Sequence, residues 1–333
     1  WDDKKAVARD PSALEKYRSM LAEQIQYFKV TQYFFFKQWS ELKDYANQRG
    51  IKIIGDMPIY VAADSVEVWT KPELFQLDKE RNPLFVAGVP ADQFSATGQL
   101  WGNPLYDWEE HKKQGYTWWI HRIEESFKIY DVLRIDHFKG FSDYWQVDGK
   151  ADIAKYGSWQ PGPGYDLFKV VKEQLGDLPI IAEDLGNIDE KARKLLTDCN
   201  YPGMKILQFG FEDVSGKSLD SPHYCIPHSI AYIGTHDNDV TNGWYNGLTA
   251  QQQQYINDYT HRHNDESICQ AMIRQLFATV NNIAIATMQD ILDSPASSRM
   301  NIPSTIGGNW QWRMQKSDLT QDKKDFLAKM TTL

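Results

Sequence analysis

The chain has 333 residues, 42% of them hydrophobic, and a formal net charge of −9 at pH 7. An acidic chain without runs of lysine and arginine lacks the basic surface that nucleic-acid binding requires, and no run of apolar residues is long enough to predict a membrane span. The length fits one barrel-sized domain with a large core. Cys199, Cys225 and Cys269 are too few and too widely spaced for a disulfide framework or a metal site, which favours a reducing cytoplasm.

The first part of the chain predicts two helices, a strand and a long irregular segment. Apolar residues at helical spacing predict helices over 11–29 and about 34–48. The apolar run 51–54 then predicts a buried strand that is followed by an acid, Asp56. Residues 63–108 show no sustained period and are rich in Pro, Gly, Asn and aromatic residues. Because a long loop inside a compact domain is usually functional, we predict an active-site loop or insertion over 63–108.

The rest of the chain alternates predicted strands and helices. The short apolar run Val132–Ile135 is typical of a strand buried on both faces, and it ends at Asp136. Further strands are predicted around Ile181, Ile206, Ile233 and Ile285. This βαβα alternation predicts an α/β fold with a parallel sheet, specifically a (β/α)8 TIM barrel with loop subdomain insertions. Fewer than eight strands are recognisable, so we expect 1–333 to be an N-terminally incomplete catalytic barrel domain whose first strands are missing from this chain.

Acidic residues at the strand ends are the candidate catalytic groups, because barrels place catalytic residues at the carboxyl ends of their strands. Asp136 is the candidate nucleophile, since Arg134 lies on the same face of the strand and would hold it ionised. Glu183 is the candidate general acid and base, and repulsion from Asp184 would raise its pKa. The alternatives are a structural Arg–Asp pair and, for Asp184 above all, a helix N-cap.

A third acid, Asp237, follows the strand around Ile233 and has His236 before it. A carboxylate there would bind sugar hydroxyls more tightly in an oxocarbenium-like transition state. His236 has no second His or Cys at ligand spacing, which argues against a metal site. Asp56 is a fourth strand-end acid with a supporting role. Carboxylates that work as a set are what glycosidic-bond chemistry requires, so we interpret the chain as a carbohydrate-active enzyme.

Several segments of the sequence indicate a particular protein family more specifically than these patterns do. They are Gly55–Val61, Phe94–Tyr106, Leu133–Phe138, Ala182–Gly186, Thr235–Asn238, Met288–Asp290, Arg299–Pro303 and Gly308–Arg313. These segments closely resemble the 4-α-glucanotransferases, also called amylomaltases, which form glycoside hydrolase family 77 of the α-amylase clan. The string from Gly98 to Tyr106 is the most specific part of the resemblance.

The resemblance implies a transferase that disproportionates α-1,4-glucans by a retaining double displacement, without a metal or organic cofactor. It implies Asp136 as nucleophile, Glu183 as acid/base and Asp237 as transition-state stabiliser. The implied partners are maltooligosaccharides, amylose, and glycogen or starch. The implied substrate-binding residues are Asp56, Tyr60, Phe94, Gln99, Trp101, Arg134, Asp184, His236 and Asn301. Among them, the loop around Phe94 to Trp101 is implied to guide the acceptor glucan.

Two other functions fit the same residues. An α-amylase-like hydrolase would use the same three acids, with water as the acceptor. A non-catalytic glucan-binding fragment is the alternative from a different functional class, and it is expected if the barrel is open. The long aromatic loop favours transfer over hydrolysis, because it would hold an acceptor sugar and exclude water.

Overall fold

A computed structural model describes residues 3–91, 95–186 and 188–332. The chain divides into two compact units, residues 1–201 and 202–333. Each unit contains a three-stranded parallel sheet. The composition of the chain did not predict this boundary between residues 201 and 202. One barrel domain over the whole chain stays a prediction.

The parallel sheet of the first unit carries three of the predicted acids. Its strands are β1 (Ile54–Met57), β4 (Val132–Ile135) and β7 (Ile180–Ala182), in the order β1-β4-β7. All residues of β4 and β7 are buried, as expected for strands covered on both faces. In the register, Ile135 lies opposite both Met57 and Ala182. The residues that follow these strands, including Asp136 and Glu183, therefore emerge at one edge of the sheet.

A second, antiparallel sheet in this unit was not predicted. Its strands are β2 (Phe85–Val89), β3 (Gln99–Pro104), β5 (Asp143–Asp148) and β6 (Gly157–Pro161), in the order β3-β2-β5-β6. The expectation that 63–108 has no secondary structure is therefore wrong. The strands β2 and β3 are short, and β2 pairs with β5, which lies far along the chain. Burial does not alternate along β2, β3 or β6, so no period of two residues marks these strands in the sequence.

The described part of the first unit contains eight α-helices, of which the one over Thr117–Ile129 packs against β1 and β4. They are α1 (Lys4–Val7), α2 (Pro11–Met20), α3 (Ala22–Asn47), α4 (Val66–Thr70), α5 (Trp108–Lys113), α6 (Thr117–Ile129), α7 (Tyr165–Leu175) and α8 (Glu190–Cys199). Helix α6 buries Trp119, Ile120 and Ile123, and Trp119 lies edge-on to Phe141 with ring centroids 5.1 Å apart. Aromatic side chains thus supply much of this core, which accounts for many of the chain's Trp, Tyr and Phe residues.

Helix α3 has an unusual surface. None of its residues is buried, and its exposed aromatic residues are Tyr27, Phe28, Tyr33, Phe34, Phe35, Phe36 and Tyr45. Its contacts with the rest of the unit include the Trp39 indole, which donates to the carbonyl of Ile129 at 2.9 Å. The α2–α3 boundary falls at Leu21, and not near residue 30 as the sequence pattern predicted. This many exposed apolar residues on one helix is unusual for a protein surface.

The second unit repeats the alternation of strand and helix. Its strands are β8 (Gly203–Ile206), β9 (Ser229–Tyr232) and β10 (Ile283–Ile285), parallel and in the order β10-β9-β8. Its helices are α9 (Leu207–Glu212), α10 (Thr241–Gly247), α11 (Ala250–Thr260), α12 (Ile268–Phe277), α13 (Met288–Ile291) and α14 (Gln321–Thr332). Helix α12 begins with a capping box between Ser267 and Gln270 and buries Met272, Ile273 and Leu276 in the core. Strands occur at or beside all six predicted positions, Ile53, Leu133, Ile181, Ile206, Ile233 and Ile285, but several of their ends differ from the predicted runs by about three residues. The first strand, predicted over 51–54, is observed over Ile54–Met57.

In the described part of the chain, every helix is too short or too polar to cross a lipid bilayer.

Candidate active site

Arg134 is the centre of a charged cluster in the first unit. It lies in β4 opposite Asp56, and its side chain is 8% exposed. Its Nη1 donates directly to Asp56 Oδ1 and, at 3.1 Å, to Asp136 Oδ1, while its Nη2 lies 3.9 Å from Glu183 Oε2. Burial acts to lower the pKa of Arg134, but the charges of Asp56, Glu183 and Asp136 outweigh it and the pKa is raised. One guanidinium therefore binds three carboxylates, which is more than a simple structural pair.

Backbone hydrogen bonds of the sheet fix the positions of Asp136 and Glu183. The amide of Asp136 donates to the carbonyl of Met57 at 3.0 Å, and the amide of Glu183 donates to the carbonyl of Ile135 at 3.0 Å. These bonds continue the parallel ladders beyond the ends of β4 and β7. The carboxylates are thus positioned by the sheet itself, and rigid elements hold functional groups more accurately than loops do.

Glu183 combines burial with a nearby negative charge. Its side chain is 16% exposed. Burial is the largest influence that raises the pKa of Glu183, to about 7, and the charge of Asp136 is the next. Asp184 adds a smaller increase, so burial rather than repulsion from Asp184 is the main cause. A carboxyl group that titrates near neutral pH can both donate and accept a proton during a reaction.

The turn after β4 places two backbone donors on Glu183. His137 has a left-handed backbone with φ of 47°, and its N–H donates to Glu183 Oε2, while the amide of Phe138 donates to the carbonyl of Glu183 at 3.1 Å. Residues other than glycine rarely adopt this conformation, and such strain is concentrated at functional sites. Burial, with a smaller contribution from Lys139, lowers the pKa of His137 to about 4, so its ring is neutral at pH 7.

Aromatic residues lie beside the cluster. The Trp101 ring in β3 is edge-on to the His137 ring, with centroids 4.8 Å apart, and Trp101 is 37% exposed. The Trp101 indole donates to Gln99 Oε1 at 3.4 Å. Tyr60, in contrast, is 8% exposed and stacks on Tyr106 at 6.0 Å. Trp101 and Gln99 therefore border the cluster, whereas most of Tyr60 belongs to the core.

The two remaining predicted residues of the first unit are Asp184 and Phe94. Asp184 is half-buried and follows Glu183 directly. It does not cap α8, because that helix begins after Asp189, whose side chain accepts from the amide of Ala192 at 2.9 Å. Phe94 lies outside the described residues, so its substrate-binding role stays a prediction.

In the second unit, Asp237 and His236 follow the end of β9. The Asp237 side chain is 40% exposed and that of His236 is 30% exposed. His236 Nε2 lies 3.3 Å from Asp237 Oδ2, and the Asp237 amide donates to Thr235 Oγ1 at 3.3 Å. The Trp310 ring lies against His236, with centroids 5.1 Å apart and a tilt of 42°. This arrangement presents a carboxylate, an imidazole and an exposed indole together.

The segment 298–301 holds Asp237 in place. Asn301 Nδ2 donates to Asp237 Oδ1 at 2.6 Å, and Arg299 Nη2 donates to the Asp237 carbonyl at 2.7 Å. The amide of Asn301 donates to the carbonyl of His236 at 3.2 Å. Asn301 was predicted to contact substrate, but its side-chain amide is directed at the carboxylate of Asp237.

Three residues in the cluster around Arg134 and in the group around Asp237 were not predicted as site residues. They are His137, Arg299 and Trp310. Each lies in a segment that carries the family resemblance, which was the available signal. Their contacts depend on backbone conformation and on side chains distant in sequence, and neither can be read from spacing.

Within the described ranges, the one group of side chains close enough to share a cation is His121, Glu124 and Glu125 on α6. These residues lie at the helix surface, where spacings of three and four residues place His121 Nδ1 3.8 Å from Glu124 Oε2 and 3.7 Å from Glu125 Oε1. Exposed helix pairs of this kind need no metal to explain them.

The family to which this chain belongs is established by its similarity to known proteins. The model of the 4-alpha-glucanotransferase family, glycoside hydrolase family 77, matches residues 1–320. This chain belongs to the 4-α-glucanotransferase family. The 4-α-glucanotransferase of Streptococcus pneumoniae serotype 4 is 51% identical over 334 residues, which cover 100% of this chain and 66% of that protein. That of Thermus thermophilus is 40% identical and covers 94% of this chain and 64% of that protein.

Solved structures agree with this membership. The amylomaltase from Streptococcus agalactiae, solved in complex with acarbose, is 59% identical with a TM-score of 0.97, and the match covers 100% of this chain and 67% of that one. The amylomaltase from Corynebacterium glutamicum is 15% identical with a TM-score of 0.72 over 89% of this chain and 48% of that one, a likeness of fold alone. The predicted α/β fold of TIM-barrel type is confirmed. This member of the 4-α-glucanotransferase family spans slightly less than two thirds of the length of the first of these relatives, at 66%.

Proposed function

We propose that the chain carries the catalytic acids of a 4-α-glucanotransferase, which transfers α-1,4-glucan segments between maltooligosaccharides with retention of configuration. The pairing of two unlike carboxyl groups around Arg134 carries the proposal. Asp136 accepts a hydrogen bond from the guanidinium at 3.1 Å, which favours the ionised form that a nucleophile needs. Glu183 has a pKa raised to about 7, mainly by burial, which suits an acid/base.

The proposed reaction has two displacements. In the first, Glu183 protonates the oxygen of the glycosidic bond while Asp136 attacks the anomeric carbon, so the bond to the leaving glucan breaks and a covalent glycosyl-enzyme forms. In the second, the Glu183 carboxylate takes the proton from a hydroxyl group of the acceptor glucan. That oxygen attacks the anomeric carbon and displaces Asp136. Asp237 is proposed to stabilise the oxocarbenium-like transition states, with His236 as its neighbour.

The proposed substrates are α-1,4-glucans: maltooligosaccharides, amylose, and glycogen or starch. Family membership supports this class, and so does the 59% identity to an amylomaltase solved with acarbose. In the first unit, Asp56, Arg134 and Asp184 are proposed to contact the sugar, and Tyr60, Phe94, Gln99 and Trp101 to line the path of the acceptor. The exposed Trp101 ring beside His137 favours transfer over hydrolysis, because an aromatic surface binds an acceptor sugar and excludes water.

We also propose a cytoplasmic location. The thiols of Cys199, Cys225 and Cys269 are free, which suits a reducing compartment.

The test is the product profile from maltotriose for the wild type, Asp136→Asn and a matched control, Asp177→Asn. The side chain of Asp177 is 84% exposed at the surface of the same unit. We expect glucose together with maltopentaose and longer products from the wild type and the control. In Asp136→Asn the rate should fall by about 10⁴-fold or more, as for other covalent nucleophiles.

Two outcomes contradict the proposal. Glucose and maltose without longer products would identify a hydrolase. Undiminished transfer by Asp136→Asn would remove Asp136 from the role of nucleophile, whatever the products.

A further inference from the structure

The loop that follows α13 is anchored at both of its ends. At its start, the buried Gln289 side chain donates to the carbonyl of Ser298 at 3.2 Å. At its end, the amide of Trp310 donates to the carbonyl of Met300 at 2.6 Å. Between these points the chain is open to solvent, with Ile306 fully exposed. The segment 298–301 is thus the fixed base of an otherwise exposed loop.

This base binds Asp237 through two different side chains. Asn301 Nδ2 donates to Asp237 Oδ1 at 2.6 Å, which fixes one carboxylate oxygen. Arg299 bridges two backbone carbonyls, donating from Nη2 to that of Asp237 at 2.7 Å and from Nε to that of Asn301 at 2.9 Å. The guanidinium therefore holds the two backbone segments at a set separation, and the amide then sets the direction of the carboxylate.

We propose that Asn301 and Arg299 are positioning residues that orient the Asp237 carboxylate, and that Asn301 acts through Asp237 and not by binding substrate. This inference rests on the proposed function of Asp237. The amide is suited to the task because it is neutral. It directs one oxygen of the carboxylate and leaves the negative charge available to a developing oxocarbenium ion.

Asn301→Ala should affect kcat and KM differently. Asn301→Ala removes the donor to Asp237, so we expect kcat for cleavage of maltotriose to fall roughly 10- to 100-fold, a typical cost of a misplaced catalytic group. KM should change little, because no contact with the ground-state substrate is lost. In Asn301→Asp, two carboxylates would lie in contact and compete for one proton. The acidic limb of its pH–rate profile should therefore move to higher pH.

The matched control is Asn309→Ala. The side chain of Asn309 accepts from the amide of Ile302 at 3.0 Å and donates to Thr305 Oγ1 at 3.0 Å, so it supports the same loop without contacting Asp237. We expect its kcat to stay within about threefold of the wild type, in line with a surface substitution. An equal loss in Asn309→Ala and Asn301→Ala would mean that only loop integrity matters, and would overturn the proposal.

Two further results would overturn it independently of transfer. A raised KM with unchanged kcat in Asn301→Ala would assign Asn301 to substrate binding. A crystal structure of Asn301→Ala in which the Asp237 carboxylate keeps its orientation would exclude the positioning role, even for an inactive protein. If the wild type only hydrolyses, the proposed transfer fails, yet the comparison of kcat between variant and wild type still decides the role of Asn301.

Discussion

In the first unit a buried guanidinium binds the carboxylates that follow the sheet, whereas in the second unit an amide and an imidazole bind Asp237. Arg134 is 8% exposed and contacts three acids. The Asp237 side chain is 40% exposed, and the nearest guanidinium, that of Arg299, donates to its backbone carbonyl. Asp56 and Asp136 are 40% exposed as well, so the two arrangements differ in the buried Arg134 and the 16%-exposed Glu183, and not in the exposure of the other acids.

This difference has a chemical reason. A buried acid that must exchange a proton needs a pKa near the working pH, and burial raises the pKa of Glu183 to about 7 while Arg134 and the His137 amide act to lower it. An acid whose task is to remain charged needs no such balance, and partial exposure is sufficient for it. Variants of both units can test whether proton exchange and charge compensation are confined to the first unit.

Among the variants that test this difference between the units, Glu183→Gln should have the largest effect. The rate of transfer from maltotriose should fall by about 10² to 10⁴-fold, because the leaving oxygen is no longer protonated. In the wild type the reaction needs protonated Glu183, so kcat/KM should decline as the pH rises through about 7. The variant should lack this alkaline limb. Initial rates across the neutral range, with Glu173→Gln on the exposed surface of α7 as the matched control, would show both effects.

The stability of the same variant supplies an independent check on the pKa. A carboxyl group whose pKa is raised in the folded state stabilises the fold fully below its unfolded pKa, and that contribution is lost as the pH rises through its folded pKa. For Glu183 this window runs from the ordinary value of 4.5 to about 7. The unfolding free energy of the wild type should therefore decrease across this window relative to that of Glu183→Gln. An identical pH dependence of the two proteins would exclude the raised pKa.

A smaller but still large effect is expected from Arg134→Gln. Removing the guanidinium leaves three carboxylates without their counter-charge, but solvent screens Asp56 and Asp136, which are 40% exposed. The unfolding free energy should therefore fall by about 3 kcal/mol, the lower end of the range for buried pairs. Arg299→Gln, the corresponding change in the second unit, removes hydrogen bonds to two carbonyls and should cost about 1–3 kcal/mol. Urea unfolding of both variants measures the difference. Equal losses would mean that the two units do not differ in charge compensation.

The sequence allowed the strands and their acids to be predicted, because this information is local. A buried parallel strand is a continuous apolar run, and the acid that follows it is adjacent in the chain. For that reason Asp56, Asp136, Glu183 and Asp237 were located correctly at strand ends. The pairing of Arg134 with Asp136 also follows from a spacing of two residues along a strand.

Other features depend on contacts between distant residues and could not be predicted. The antiparallel sheet forms because β2 pairs with β5 across a long stretch of chain. The left-handed backbone of His137 could not be predicted either, because only a few per cent of residues other than glycine adopt it, even though His is enriched among them. The resemblance implied a substrate-binding role for Asn301, which stays a prediction, whereas the hydrogen bond from its amide to Asp237, 64 residues away, could not be read from the sequence.

The smallest expected effect concerns the glycines beside the two sites. A Cβ on Gly55, in β1 just before Asp56, would lie 2.0 Å from the Tyr130 ring, whereas a Cβ on Gly234 would lie 3.0 Å from the Asn238 and Gln208 side chains. Because a ring packed against a strand cannot move as an amide side chain can, Gly55→Ala should cost about 1–3 kcal/mol. Gly234→Ala should cost less than about 1 kcal/mol, because only small shifts are needed.

A double-mutant cycle would identify the cause of that difference. If the Tyr130 ring is the obstacle, Tyr130→Ala should remove most of the cost of Gly55→Ala, so that the pair shows a coupling free energy of about 1 kcal/mol or more. The quantity to measure is the unfolding free energy of the four proteins in urea. Additive effects would show that the ring is not what excludes a side chain at Gly55. The cost of a side chain at Gly55 would then need another source, such as the ladder between β1 and β4.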